Sequence, residues 1–315
     1  MADSQQPRAS LLFMGTPDFA VPSLDALVAA GYRPTVVTGP DKRRGRGQKL
    51  SPTAVKQAAE RHGLDVWQPA SVKDPDFAAQ VQALAPDIIV VVAFRILPPA
   101  VYEAARLGAF NLHASLLPAY RGAAPINRAL MEGATETGVT TFFLQRRVDT
   151  GAILLQESVP VGPDTTAGEL HDTLADLGAG VVVETVRLIE AGDVVGQAQD
   201  DALASPAPKL FKEDAEIDWA HSAEAVHNHV RGLSPYPAAW TTLDGATLKL
   251  YRTRRAEGSG APGEVLRAEG RIVVACGTGA LEVLELQRQG KRRMAAIDFL
   301  NGVDLDPGTR LGIPD

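Results

Sequence analysis

A single cysteine, Cys276, in 315 residues leaves no internal disulfide to form, and cysteine used this sparingly suits a reducing cytoplasm. It sits in RIVVACGTG, a strand-like run that reads as an inert core thiol rather than a nucleophile. No apolar stretch is long enough to cross a bilayer. The longest, IIVVVAF (88–94), falls far short of the roughly 20 residues a spanning helix needs. The polar opening, MADSQQPRAS, leads straight into a short apolar strand, so no signal peptide is expected. Low-complexity tracts and internal repeats are missing as well. The turn after the first apolar strand, GTPDFA, has neither G-x-G-x-x-G nor G-K-[ST], which excludes a nucleotide-binding fingerprint there. Metal-ligand spacings are also absent: HNH (227–229) would splay its two histidines to different sides of a helix. The expectation is a soluble, cytoplasmic, metal-free protein with no membrane partner.

What is present is a globular composition, 45 % hydrophobic and 22 % charged, over a length that favours two domains. SLLFMG (10–15) reads as a buried strand, and 16–31 as an N-capped helix closed by Gly31. Strand signals recur at 34–39, 65–67, 87–94 and 108–113, separated by helical patterns at 53–62, 75–85 and 98–105. This alternation, with its continuous Val/Ile runs, predicts an α/β fold: a doubly wound, mostly parallel, Rossmann-like sheet covered on both faces. Further strands are expected at 138–147 and 152–161, then a long helix at 166–192. GQAQDDALASPAPKL (196–210), with Pro and small residues and little periodicity, reads as a linker. Beyond it, one helix (222–231) and short strands near 239–243, 246–252, 262–267, 271–275 and 280–286 predict a small, OB-like β-barrel. The expected division is an α/β domain over 1–195, a linker over 196–207 and a β-barrel domain over 208–315.

In open α/β sheets, ligands bind beyond the carboxyl ends of the strands. At such an end, FNLHASLLPAYRGAAPI (110–126) places Asn111, His113 and Ser115 at alternate positions, so all three share one face of an apolar strand. Polar groups placed like this need partners or a function. Asn111 could donate its amide N–H to an oxygen that becomes negative in a tetrahedral intermediate. His113 could be a general acid/base or a second donor. Asp149, in the VDTG turn (148–151), could hold the imidazole and take up a proton. No Ser or Cys beside them looks activated, so direct transfer is favoured over a covalent acyl-enzyme. On periodicity alone, a satisfied structural histidine competes with this. A net charge of −7 argues against a protein that coats nucleic acid. Three basic runs, DKRRGRGQK (41–49), KLYRTRR (249–255) and RQGKRR (288–293), still fit focused contact with a polyanion, the alternative for each being a solvated face.

FMGTPDFA (13–20), GRGQKLSPTAVK (45–56), NLHASLLPAYRGAAPI (111–126), GVT (138–140) and VDTG (148–151) resemble the methionyl-tRNA formyltransferases, in the same order. IDW (217–219), SPYPAAW (234–240), APGEVL (261–266) and LQRQGKRRMAAIDFLNG (286–302) carry the resemblance over nearly the whole chain. The N-x-H-x-S-L-L-P set with a later D-T-G is specific to formyltransferases using 10-formyltetrahydrofolate. The resemblance implies transfer of that formyl group to the α-amino group of methionine on initiator Met-tRNA, for initiation of translation. It implies that Asn111, His113 and Asp149 are the catalytic trio and that residues 1–195 are the catalytic domain. Ser115, Leu116, Leu117 and Pro118 are then expected to contact folate, with Phe94, Ile96 and Leu97 beside the pterin. Expected tRNA contacts are Lys42, Arg43, Arg44, Arg46 and Lys49 in the first basic run, and Arg254, Arg255, Lys291 and Arg292 in the C-terminal domain. The first run, with two glycines among five cations, is expected to lack order of its own without tRNA. A monomer is expected.

Two segments depart from the family's pattern. After VVVA the family usually has an aromatic and then Gly, where AFRILPP places Arg95. Before VDTG it tends to carry an acidic residue and a Gly, where this chain has LQRR (144–147). The trio is untouched by either. A formyltransferase for another amine, such as a nucleotide sugar or glycinamide ribonucleotide, would share the trio but lack the basic loop and the β-domain. A 10-formyltetrahydrofolate hydrolase would put water in place of the amine. A tRNA-binding module with a dead pocket would have no reason to keep the trio intact.

Overall fold

The computed structural model describes residues 8–44 and 49–312. They fall into two compact units. The first runs to Gly122 and takes in Gly138–Val159 and His171–Pro206; the second holds Ala123–Thr137, Pro160–Leu170 and the described chain from Ala207 on.

In chain order the elements begin β1 (Leu11–Gly15), α1 (Val21–Ala29), β2 (Thr35–Val37), β3 (Lys42–Arg44), β4 (Lys49–Ser51), α2 (Ala54–Arg61) and β5 (Val66–Trp67). Next come α3 (Pro75–Leu84), β6 (Ile88–Val92), α4 (Pro99–Tyr102), β7 (Gly108–His113), β8 (Arg121–Gly122) and α5 (Pro125–Met131). They are followed by β9 (Glu136–Phe143), β10 (Ile153–Pro160), α6 (Ala167–Ala191) and β11 (Pro206–Ala207). The last are α7 (Ala223–Leu233), β12 (Ala239–Leu243), β13 (Ala246–Ala256), β14 (Val265–Arg267), β15 (Ile272–Ala275), β16 (Ala280–Arg288), β17 (Met294–Ala295) and α8 (Ala296–Leu300).

The first unit is built on a seven-stranded sheet in the order β10-β9-β7-β6-β1-β2-β5. Pairing from β7 through β6, β1 and β2 to β5 is parallel, and β9 joins β7 antiparallel. β1 and β6 are buried at every position, as expected for central parallel strands with both faces covered. On one face Leu12, Met14, Ile89 and Val91 pack against Phe77, Val81 and Val101 of α3 and α4. Burying Phe13 and Phe110 completely stabilises the fold by roughly 1.5–3 kcal/mol each relative to exposure. Because these strands are parallel, the exits of β1, β2, β6 and β7 open at one edge of the sheet. The strand expected over 138–147 stops at Phe143, and 144–149 form the turn that carries Asp149.

In the second unit, an antiparallel half-barrel in the order β12-β13-β16-β15-β14, with β17 on β16, stands where a small barrel was expected. Its core joins Trp219, Val226, Val230, Leu250, Val274, Leu281, Leu286 and Phe299. Two stretches from within 1–195, 123–137 and 160–170, pack with this unit. Asn127 in α5 donates to the Gly232 carbonyl at 2.7 Å, and Arg231 in α7 donates to the Gly162 and Thr165 carbonyls at 3.2 and 3.3 Å.

Residues 196–207, expected as a linker, are fixed along their length. Gln197 and Ile153 exchange backbone hydrogen bonds of 2.8 Å, and Asp200 caps a 3-10 turn at Asp201–Leu203. The centre of the first basic run, 45–48, lies outside the described residues, and the residues on either side of it are paired. β3 and β4 pair antiparallel, Lys42 opposite Ser51 and Arg43 opposite Leu50. Asp41 anchors the base through Lys56 and Gln68, both at 2.8 Å, and the Lys56 ammonium holds its carboxyl below the usual range.

Candidate active site

β7 ends in the polar stripe. Its apolar positions hold it between β6 and β9, and the pleat places Asn111 and His113 on the same face. Asn111 is half-buried, and its amide has no hydrogen-bond partner among the described residues. His113 is 6 % exposed. Its Nε2 lies 2.8 Å from the Tyr120 carbonyl oxygen, which can only accept, so Nε2 carries a proton. Its Nδ1 faces Asp149 Oδ2 at 4.0 Å, too far for a hydrogen bond, and the two attract as charges only when the imidazole is protonated.

Asp149 reaches this position through a strained turn. Its φ is +54°, a left-handed conformation that a non-glycine residue adopts only where its surroundings enforce it. Two residues on, a Cβ at Gly151 would lie 1.6 Å from the Phe143 carbonyl oxygen, so only glycine closes the turn. The Gly122 N–H donates to Asp149 Oδ2 at 2.9 Å. Gln199 Nε2 donates to the carbonyls of Asp149 and Gly151 at 3.0 and 2.8 Å. Arg121 grips Gln199 Oε1 from Nε and Nη2, at 3.0 and 2.7 Å.

The expected folate contacts divide into two sets. Ser115, Leu117 and Leu97 turn inward: Ser115 Oγ donates to the Ala119 carbonyl at 2.6 Å, Leu117 packs with Phe142 and Ile153, and Leu97 lies in the sheet core. Leu116, Pro118 and Phe94 remain half-buried, and Ile96 is exposed. Phe94 lies two residues beyond Val92, which pairs with Leu112, and its side chain packs against the same sheet core as Leu97. Thr140 braces the SLLP segment, donating to the Ser115 carbonyl at 2.7 Å and accepting from Leu117 N–H at 3.0 Å and Gln156 at 2.9 Å. The Leu117–Pro118 peptide is cis.

Both departures acquire local partners. Arg95 covers the Phe94 ring at 5.1 Å and donates to the Pro69 and Ala70 carbonyls, both at 3.0 Å. Pro69 and Ala70 also line a 330 Å³ cleft with Trp67, Gln68, Ser71 and Phe77. Arg147 pairs with Asp201 at 2.8 Å, and Gln145 bonds to Thr150 within the turn.

Of the basic residues, Lys42 and Arg43 are exposed on β3; Arg44 and Lys49 occupy the paired strands, and Arg46 lies outside the described residues. In the second unit Arg254 pairs with Glu282 at 2.9 Å and Arg255 with Glu224 at 4.0 Å. Lys291 and Arg292 stand exposed in the turn between β16 and β17, with no carboxylate partner among the described residues.

Arg121, Thr140, Gln156 and Gln199 were not singled out from the sequence. Arg121 and Thr140 do lie within recognisable segments, YRG and GVT; Gln199 and Gln156 carry no local signal. No group of His, Cys and carboxylates among the described residues could hold a metal, and no helix there is long and apolar enough to cross a membrane.

The formyl transferase family matches residues 8–186, and the formyl transferase C-terminal domain matches residues 209–304. A methionyl-tRNA formyltransferase of Chlorobium phaeovibrioides is 54 % identical over 312 residues, 96 % of this chain and 98 % of its own. One from Geobacter metallireducens is 50 % identical over 307 residues, covering 96 % and 98 %. HypX of Aquifex aeolicus, solved in complex with tetrahydrofolic acid, superposes with a TM-score of 0.68 at 18 % identity. That match covers 96 % of this chain, which spans about half (49 %) of the HypX chain. An N-formyltransferase from Helicobacter canadensis, in complex with folinic acid and dTDP-3-aminofucose, gives 0.69 at 17 % identity, covering 89 % of this chain and 99 % of that one. At such identities the two structures share the fold.

Proposed function

The chain belongs to the methionyl-tRNA formyltransferase family, and from that premise we propose how its own residues move the formyl group to the α-amino group of methionine on initiator Met-tRNA. The donor, 10-formyltetrahydrofolate, supplies the activated one-carbon unit as a co-substrate. The half-buried Leu116 and Pro118, which follow the strand carrying the unpartnered Asn111 amide, leave apolar surface for a flat heteroaromatic carrying a carbonyl. An α-amino group titrates near pH 8, so a useful fraction is neutral at pH 7 and can attack.

Asn111 donates its free amide N–H to the formyl oxygen as negative charge develops there. His113 works through Nδ1, because Nε2–H is committed to the Tyr120 carbonyl. Left neutral, Nδ1 presents a lone pair toward the Asp149 carboxylate; protonated, it becomes a donor to the same formyl oxygen, with Asp149 stabilising the imidazolium. Asp149 also takes up the proton released by the attacking amine, directly or through one water; the tetrahedral intermediate then collapses by breaking the bond from the formyl carbon to folate N10, which takes up a proton as tetrahydrofolate leaves. Burial of His113 and Asp149 limits bulk water, which would otherwise hydrolyse the formyl group. What chiefly supports these roles is the one-sided anchoring of His113, Nε2 pinned and Nδ1 facing a carboxylate across 4.0 Å.

The β3–β4 hairpin and the turn bearing Lys291 and Arg292 are the tRNA contacts, acting on phosphates. As an enzyme of translation initiation it works in the cytoplasm. Formylation of purified initiator Met-tRNA, assayed beside free amines and donor hydrolysis, tests the scheme. Asn111→Ala and Asp149→Asn are each expected to lose about 100-fold or more in the chemical step. Either variant keeping over half the wild-type rate would remove that residue from the chemistry.

A further inference from the structure

Both residues that face the His113 ring nitrogens hold left-handed backbone without being glycine: Asp149 at φ +54° and Tyr120 at φ +60°. One supplies the carboxylate facing His113, and the other supplies the carbonyl that fixes His113 Nε2. Such conformations persist only where neighbouring contacts over-determine them. Both are held by one short segment, 199–205. Ser205 Oγ accepts from Tyr120 N–H at 2.9 Å, and the Ser205 carbonyl accepts from Arg121 N–H at 2.8 Å. Gln199 spans the carbonyls of Asp149 and Gly151, and its own oxygen is fixed by the two-point grip of Arg121. Arg121 continues to Asp201 at 2.7 Å, which also receives Arg147 at 2.8 Å.

We propose that Gln199, held by Arg121, is a positioning residue that sets the Asp149 carboxylate against His113 Nδ1. Around it, residues 195–198 and Asp200 are exposed, and Gln199 alone is drawn in. Its amide suits this role, because two N–H groups can each take one carbonyl of the turn while the oxygen stays free for the guanidinium. Arg121 is in turn fixed by its backbone to Ser205, so hydrogen bonds tie the Tyr120–Gly122 segment to the Asp149 turn. The Gly122 N–H on Asp149 Oδ2 then fixes the carboxylate itself. Gln199 touches no reacting atom; it acts through Asp149, so this role rests on the catalytic role given to Asp149 above.

Single-turnover formylation with saturating donor and Met-tRNA tests it, using Gln199→Met, similar in length but without donors. The rate is expected to fall about 30-fold, as for a displacement of somewhat under 1 Å, with donor and tRNA affinities within about two-fold of wild type. The decisive comparison is the same change in an Asp149→Asn background, where it should add less than about two-fold because its target is already gone. A Gln199→Met rate close to wild type overturns the proposal, and so does an equal loss in both backgrounds. A fully active Asp149→Asn enzyme instead overturns the catalytic role of Asp149, and the role of Gln199 with it. Circular dichroism melts check the fold. Should Gln199→Met unfold, Arg121→Lys keeps the charge while loosening the grip on Gln199. It should show the same background dependence at smaller amplitude, and unchanged activity there would equally sink the idea.

Discussion

His113 and His227 are buried to the same depth, 6 % and 5 % exposed, one at the end of a strand in the first unit and the other inside a helix of the second. His227 is fully occupied. Its Nδ1 meets Thr253 Oγ1 at 2.9 Å, its Nε2 meets the Pro163 carbonyl at 3.0 Å, and Asp164 lies 3.3 Å from Nε2. His113 has only Nε2 bonded; Nδ1 looks across a gap at a carboxylate. Burial alone therefore does not tell the two apart. What does is a free nitrogen that faces a carboxylate, the feature on which the role proposed for His113 rests; the unbonded Nε2 of His229 is free but has no such neighbour among the ion pairs of the described residues.

The largest effect expected from this difference is at His113. His113→Ala should slow the chemical step by about 100-fold or more, with the melting temperature nearly unchanged. Its loss should not add to that of Asn111→Ala, because the groups act as a unit. His227→Ala should do the reverse. Stranding the Pro163 carbonyl and the Thr253 hydroxyl beside a small cavity should destabilise the second unit by about 2 kcal/mol, read from urea midpoints, while turnover at low temperature stays near wild type. If both substitutions acted mainly on turnover, or both mainly on stability, the distinction would fail.

The same distinction explains what was legible in the sequence. β1 and β6 declared themselves because buried parallel strands are runs of Leu, Val and Ile; Asn111 and His113 stood out as polar residues at alternate positions of β7, whereas Asp149 was marked by the VDTG turn and the family resemblance. Contacts that join distant segments left no local mark. Gln199 meets Asp149 across 50 positions, and Asn127 meets Gly232 across 105. Composition alone made 196–207 look like a linker, and nothing local in 123–137 marks that it packs with the second unit. The pairing of 42–44 with 49–51 escaped notice for a related reason. It comes from a backbone ladder and from the Asp41 anchor to Lys56 and Gln68, neither visible in a run of cations.

A smaller effect sharpens the comparison through pH. Desolvation by burial is the main cause that pushes the His227 pKa below 6.5; the Pro163 hydrogen bond and Asp164 oppose it, and Arg231 and Arg255 add to it. His229 shifts the same way, also through burial. With the folded pKa depressed, the unfolded chain binds more protons below pH 6.5. The stability contributed by neutral His227 is thus whole above 6.5 and lost as pH falls toward the folded value, by at most about 1.4 kcal/mol per pH unit. Urea midpoints at successive pH values should fall less steeply below 6.5 for His227→Gln than for wild type. Identical slopes would mean that His227 does not titrate differently on folding.

The smallest effect carries the contrast between committed and free groups over to the cations of the second unit. Arg254 and Arg255 already face Glu282 and Glu224, whereas Lys291 and Arg292 face solvent. A phosphate bound to a free cation releases counterions without first breaking a pair. Exposed pairs are worth only up to about 1 kcal/mol, a factor of about five in affinity, so the two sites should differ modestly. Changing Lys291 and Arg292 together to Gln is expected to weaken Met-tRNA binding about ten-fold at low salt. It should also flatten the slope of log affinity against log salt by about 1.5, close to two lost phosphate contacts. Changing Arg254 and Arg255 together to Gln should cost about three-fold or less and shift the slope by well under one unit. Filter binding of Met-tRNA across a salt series reads both numbers. Equal slope changes for the two pairs would mean that the carboxylates beside Arg254 and Arg255 yield freely to phosphate, and that pairing in the unbound protein does not predict which cations meet the tRNA.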